Sequence, residues 1–250
     1  MTKRTRAAGW GVVVLVVGVV AACQRERERR PPTPLDPATL GTITGEVRFV
    51  GTPPPQTVLD MSSSKDCAAQ HSGPVQAGDV LVNDGKVQNV IVAVKDGLGD
   101  RVFAARDTPV EIDQKACMFV PRVAAAQVDQ PLEFLNSDTF PHNVRAAPPK
   151  GSGWNFSLGL KGAARTIDVD QPLGVVPIKC DIHPWMAAYL GIYDHPYFAV
   201  TGADGQFTLR DVPAGTYVVE AWHERFGTRT ANVTLAATET KRVSLSFGGP

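Results

Sequence analysis

Apolar and polar positions alternate in short runs from residue 42 onward. "TITGEVRFVG" (42–51) alternates and then stops at Thr52-Pro53-Pro54-Pro55. "VQNVIVAVKDG" (87–97) is a second alternating run closed by a turn, and "FVPRVAAAQVDQPLEFLNSD" (119–138) reads as two strands about a turn at Asp129-Gln130. Further strands are predicted in "GVVPIKC" (174–180) and "AAYLGIYDH" (187–195). "GQFTLRDVPAGTYVVEAWHE" (205–224) reads as a hairpin about Pro213-Ala214-Gly215, and "RTANVTLAATETKRVSLSF" (229–247) supplies the last two strands. A period of two marks half-buried strands, and no segment keeps a helical period over three turns. Regularly spaced strands with turn signals predict an all-β protein, a sandwich or barrel.

The beginning of the chain has another pattern. "MTKRTR" is positively charged, and "AAGWGVVVLVVGVVAA" (7–22) is apolar but too short and wrongly flanked for a membrane span. It ends in Val20-Ala21-Ala22-Cys23. These residues resemble the lipobox of bacterial lipoproteins, which implies a signal peptide over 1–22, lipidation of Cys23 and a membrane anchor. Gln24 in the next position favours the outer membrane. The plainer reading is an ordinary signal peptide cut at an AxA-like site, with Cys23 incidental. Both predict an exported protein, in the periplasm or at the cell surface. "QRERERRPPTPLDPATLG" (24–41) is charged and proline-rich and reads, with Cys23, as a disordered tether.

Composition narrows the class. The 250 residues suggest one or two domains, and 23 glycines with 20 prolines suit a β-rich, turn-rich fold. The formal net charge is zero, so no basic excess points to nucleic acid.

The chemistry gathers in "PIKCDIHPWMAAYLGIY" (177–193), where Cys180, His183 and Met186 fall within seven positions. "FLNSDTFPHNVR" (134–145) adds His142 in a turn after a strand. A β-sandwich can bring a strand end beside a loop between two others. His142, Cys180 and His183 then form a His2Cys set with Met186 as a weak fourth ligand, the type 1 copper arrangement. The thiolate supplies a strong bond, the imidazoles accept both copper oxidation states, and a weak thioether favours Cu(I) and raises the potential. Zinc remains open, since a cysteine and two histidines also hold Zn(II). Each residue also has an ordinary reading: a turn histidine, a buried thiol, a core methionine.

"FVPRVAAAQVDQPLEFLNSDTFPHNV" followed by "CDIHPWM" resembles the cupredoxins, the plastocyanin and amicyanin group, over about residues 108–200. The resemblance implies a Greek-key fold, one type 1 copper centre and one-electron transfer. It also implies that Asn143, beside the first ligand, hydrogen-bonds to the cysteine loop. His183 is then the surface ligand, framed by Phe140, Pro141, Pro184 and Trp185, where a redox partner such as a cytochrome c docks. Only one ligand set is present and no Ser-His-Asp or paired-carboxylate constellation stands out, so no enzyme is expected. His71, His195 and His223 read as surface or hydrogen-bonded histidines. With Cys23 assigned to lipid and Cys180 to copper, Cys67 and Cys117 remain, and an oxidising compartment predicts a disulfide between them.

A second resemblance lies outside this unit. "GEVRFVG", "VQNVIVAVKDG" and "VTGADGQFTLRDVPAGTYVVEAWHERFG" follow the order of carboxypeptidase regulatory-like domains, small β-sandwiches grouped with carbohydrate-binding-like folds. The resemblance implies a sandwich split by the cupredoxin: 42–107 its first part, 108–200 the insertion, 201–250 its last part. It also supports another function, a cell-surface module binding carbohydrate or protein, with an accessory or lost copper site. A periplasmic copper carrier is a third possibility.

Overall fold

Alternating sequence becomes strand almost throughout, and the computed structural model describes residues 30–248. The expectations for residues 1–22 and Cys23 lie outside the described residues. A 3-10 turn at Pro37–Thr39 leads into β1 (Leu40–Val50), β2 (Val58–Leu59), α1 (Lys65–Ala68), β3 (Val75–Gln76), β4 (Val82–Asn83), β5 (Lys86–Val87) and β6 (Ile91–Asp96). Then come β7 (Val110–Lys115), β8 (Met118–Val120), β9 (Val123–Gln127), β10 (Leu132–Asn136), β11 (His142–Ala146), β12 (Trp154–Leu158), β13 (Ala164–Ile167), β14 (Gly174–Lys179) and β15 (Ala187–Tyr193). The chain ends with β16 (Phe198–Val200), β17 (Gln206–Pro213), β18 (Gly215–His223), β19 (Gly227–Leu235) and β20 (Thr240–Gly248).

Two cores organise these strands. The first lies between the sheet β17-β1-β5-β4, with β20 also on β1, and the sheet β16-β6-β18-β19. Ile43, Val47, Val92, Val94, Leu209, Tyr217, Val219 and Phe247 are buried there. β1 runs antiparallel to β17, with Gly45 opposite Phe207, and parallel to β20 from Thr42↔Thr240 to Val50↔Gly248. The second core lies between β13-β10-β7-β8 and β12-β11-β14-β15-β9. It buries Ile112, Phe134, Val144, Ile178, Met186 and Leu190. From Pro31 on the chain is one compact unit. Across the two cores Arg122 grips Glu224 with two 2.6 Å hydrogen bonds.

Three details differ from the sequence expectation. The Pro213-Ala214-Gly215 turn does not make a hairpin, because β17 pairs with β1 whereas β18 pairs with β6 and β19. The chain crosses between sheets there, and the Tyr217 hydroxyl clamps the crossing by donating to the Pro213 carbonyl at 2.6 Å. The final part of the expected tether is docked: Thr33 exchanges hydrogen bonds with Val102, Asp36 caps the 3-10 turn, and Leu40 and Gly41 already pair with Pro213 and Val212. Packing also crosses the expected boundaries, since Met61 and Cys67 join the second core and Tyr197 joins the first. Cys67 and Cys117 form the expected disulfide, 50 residues apart. On the chain-entropy view such a closure removes about 4 kcal/mol of unfolded-state freedom.

Candidate metal centre

His142 opens β11, Cys180 follows β14, and His183 sits in the turn before β15. The ligand atoms of these three buried residues all lie within 4.8 Å of one another. The two histidine Nδ1 atoms stand 2.9 Å apart, and Cys180 Sγ is 3.9 Å from His183 Nδ1. Local sequence explains the loop. Pro184 occupies the second position of a β-turn closed by the Met186 N–H donating to the His183 carbonyl at 2.9 Å. The Cys180 N–H returns to the Met186 carbonyl at 3.3 Å, so the loop folds back tightly onto its first residue. Met186 is fully buried in the second core.

Two hydrogen-bond systems hold the donors. Asn143 Oδ1 accepts from the Asp181 N–H at 2.6 Å, and its amide donates to Asp181 Oδ2 at 3.0 Å and to Asn155 Oδ1 at 2.9 Å. Asn143 therefore ties the strand of His142 to the residue after Cys180. Arg145 also bonds Asp181 at 2.6 Å and holds its carboxyl below the ordinary range. On the other side, Asp138 Oδ2 lies 2.8 Å from His142 Nε2. The same carboxylate accepts from the Ala116 N–H at 2.7 Å and the Cys117 N–H at 2.8 Å. Trp185 donates its indole N–H to the Cys117 carbonyl at 3.1 Å, with its ring centroid 5.3 Å from that of His183. Phe140 packs edge-on against both histidine rings.

Burial holds His183 below the ordinary imidazole pKa, and the neighbouring His142 adds to that effect. A neutral imidazole is the ligating form. Two imidazole nitrogens and a cysteine sulfur, convergent and buried, fit a single borderline or soft transition-metal ion. Two other close groupings, Cys67-Cys117-His183 and Cys117-Asp138-His142, include sulfurs already spent in the disulfide.

The remaining histidines are engaged elsewhere. His71 Nε2 is 2.9 Å from the Ala116 carbonyl, His195 accepts from the Tyr197 N–H at 3.1 Å, and His223 accepts from the Arg225 N–H at 3.2 Å. Sequence reasoning missed Asp138, Asp181 and Asn155, and gave Trp185 an apolar role without its indole hydrogen bond. Asp138 stands four residues before His142 and Asp181 directly after Cys180, so an acid beside each ligand was the available signal.

A family model for the carboxypeptidase regulatory-like domain matches residues 193–247. No curated protein matches the chain. Among solved structures, the chain is similar to the Cu-containing nitrite reductase of Thermus scotoductus SA-01, at 25% identity and a TM-score of 0.33, over 39% of this chain and 25% of that one. The match thus spans about a quarter of the reductase's length. It is also similar to a methionine-to-alanine mutant of amicyanin in the Cu(I) form, at 16% identity and a TM-score of 0.30, over 40% of this chain and 97% of that one. A third likeness is a purple cupredoxin of Nitrosopumilus maritimus, at 20% identity and a TM-score of 0.29, over 33% of this chain and 98% of that one.

Proposed function

We propose that this chain is an exported, lipid-anchored electron carrier with one type 1 copper centre held by His142, Cys180 and His183, with Met186 as the weak fourth ligand. The observation that carries the reading is the convergence of three buried ligand atoms within 4.8 Å, drawn from two segments far apart in sequence. Copper, when bound, supplies a one-electron couple between Cu(I) and Cu(II). The chain's own part is to keep the donors in place. Asn143 and Asp181 fasten the cysteine loop, and the turn at Pro184 fixes His183. Donors fixed by hydrogen bonds and core packing leave little to rearrange when charge changes.

His183 is 7% exposed, half-buried Phe140 and Trp185 pack against its ring, and the chain neighbours Pro141 of His142 and Ile182 and Pro184 of His183 are exposed. This apolar rim is where a redox protein, such as a cytochrome c, docks in our reading. The anchor is Cys23, and the segment after it gives reach from the membrane. With one such ligand set among the described residues, the role in this reading is electron transfer.

Adding Cu(II) to metal-free protein should give an intense thiolate-to-copper band that reductant bleaches reversibly. Cys180→Ser should lose the band and keep the fold. A wild type that stays colourless with Cu(II) overturns the reading. It would favour the second one, a surface binding module, which the regulatory-like match at 193–247 supports.

A further inference from the structure

We infer that Asp138 is a positioning residue of the metal centre: its carboxylate holds the His142 ring in the tautomer that leaves Nδ1 free for the metal. The inference rests on the copper reading above. The geometry starts at a strained turn. Ala116 and Cys117 join β7 to β8 with φ of 51° and 54°, left-handed values that non-glycine residues avoid. Strain of this kind persists where surrounding contacts over-determine it. Here three contacts do so: the Cys67–Cys117 disulfide, the Trp185 indole on the Cys117 carbonyl, and Asp138 itself.

The turn points two successive N–H groups at one carboxylate. Asp138 is 4% exposed, and each of its two oxygens already accepts one of these N–H groups. Its third contact, to His142 Nε2 at 2.8 Å, therefore needs the proton on Nε2. That leaves the Nδ1 lone pair facing His183 and Cys180. The loop carrying Asp138 is itself pinned, because buried Asn136 donates to the Phe140 and Leu158 carbonyls and accepts from the Asp138 N–H. A carboxylate on the far nitrogen also makes an imidazole a stronger donor, which favours the more highly charged metal ion.

Asp138→Asn tests this with little change of shape. The amide has one oxygen for the two turn N–H groups, and its NH2 faces Nε2, so His142 should shift to the Nδ1–H tautomer. Nitrogen-15 NMR of the metal-free proteins should find His142 protonated on Nε2 in the wild type and on Nδ1 in D138N. In the loaded proteins, Cu(II) affinity should fall about 10- to 100-fold in D138N. Each tenfold loss not shared by Cu(I) raises the reduction potential by about 59 mV. An Nδ1–H His142 in the metal-free wild type overturns the inference. So does a folded D138N with wild-type Cu(II) affinity and potential. If D138N fails to fold, the wild-type tautomer still decides. A wild type that takes no copper refutes the copper reading instead, and the tautomer again decides the role of Asp138.

Discussion

His223 is a histidine that folding strips of its charge. It is 1% exposed, its ring stacks on Phe226 at 4.2 Å, and its Nδ1 accepts from the Arg225 N–H. Burial pushes its pKa down to about 4. Between that value and the ordinary 6.5, the unfolded chain binds a proton at this site that the folded chain does not. Stability should therefore rise with pH across this window and be lost as pH falls from 6.5 toward 4, by up to about 1.4 kcal/mol per pH unit. Urea denaturation from pH 7 to pH 4.5 checks this: His223→Gln should flatten the pH dependence, and equal slopes in both proteins would refute it. At this scale the sequence was informative where chemistry is intrinsic to a residue type. Cysteine and histidine crowded into 177–193 mark candidate ligands without any knowledge of the fold, and the structure brings Cys180 and His183 together with His142. The role of Asp138 was harder to read than its position, because it depends on the Ala116-Cys117 turn, 22 and 21 residues away, which donates two N–H groups to its carboxylate. Nothing in an Asn-Ser-Asp stretch encodes that turn.

At the scale of elements, turn signals located the chain reversals, but pairing did not follow from them. Asp129, with φ of 64°, separates β9 from β10 as a turn residue should, yet β9 pairs with β15 and β10 with β7 and β13. The same holds at Pro213-Ala214-Gly215. A local signal fixes where a strand stops; which strand lies beside it is decided by burial of faces far apart in sequence. β6 shows a related limit. Residues 91–94 are buried on both faces, because Val92 and Val94 enter the first core while the other face turns toward β15, where Ile91 meets Gly191. Gly45 in β1 offers a direct test of this packing. A Cβ there would lie 1.9 Å from the Val243 carbonyl oxygen and 2.6 Å from the Phe207 ring. The obstacle on one side is backbone, so β1 and β20 would have to part. Gly45→Ala should cost about 3 kcal/mol, the upper part of the usual range for overpacking. The urea midpoint should fall at unchanged slope; a midpoint within error of wild type would show that the strands can spread freely.

At the scale of the whole molecule, the chain leaves the first core after β6 and returns to it at β16, which pairs antiparallel with β6, Phe198 opposite Ala93. The exit and return are close neighbours. The Arg106 guanidinium donates to the Pro196 carbonyl at 2.8 Å and lies 5.0 Å from the Phe198 ring centre, and Phe103 meets Tyr197 edge to face at 5.2 Å. The strands that complete the first core, β17 to β20, come only after the return, and β20 pairs with β1 along its length. This connectivity argues that the first core is one folding unit interrupted by the second, a topology that costs little when entry and exit are adjacent. The second unit is thereby held at two covalent points, and the part-buried Arg122–Glu224 pair and the Tyr189–Trp222 contact oppose its rotation. The proposed copper site, so mounted, would keep a fixed direction on its base. Replacing residues 108–194 by a short glycine linker, with Cys67→Ser to remove the orphaned thiol, should leave a base that still unfolds in a single cooperative urea transition. The 58–76 excursion loses its packing partners in this variant, but its neck remains tied, since Asp79 bonds the Thr57 backbone and hydroxyl and pairs with Arg225. Stability should drop, because Ile91 and the rest of that face of β6 become exposed. The converse truncation at residue 200 removes β17 to β20 and should abolish the base's transition, because β1 loses β17 and β20 and keeps only the single Arg48↔Lys86 pairing to β5. If the first variant unfolds without cooperativity, the two cores depend on each other and the base is not a unit of its own.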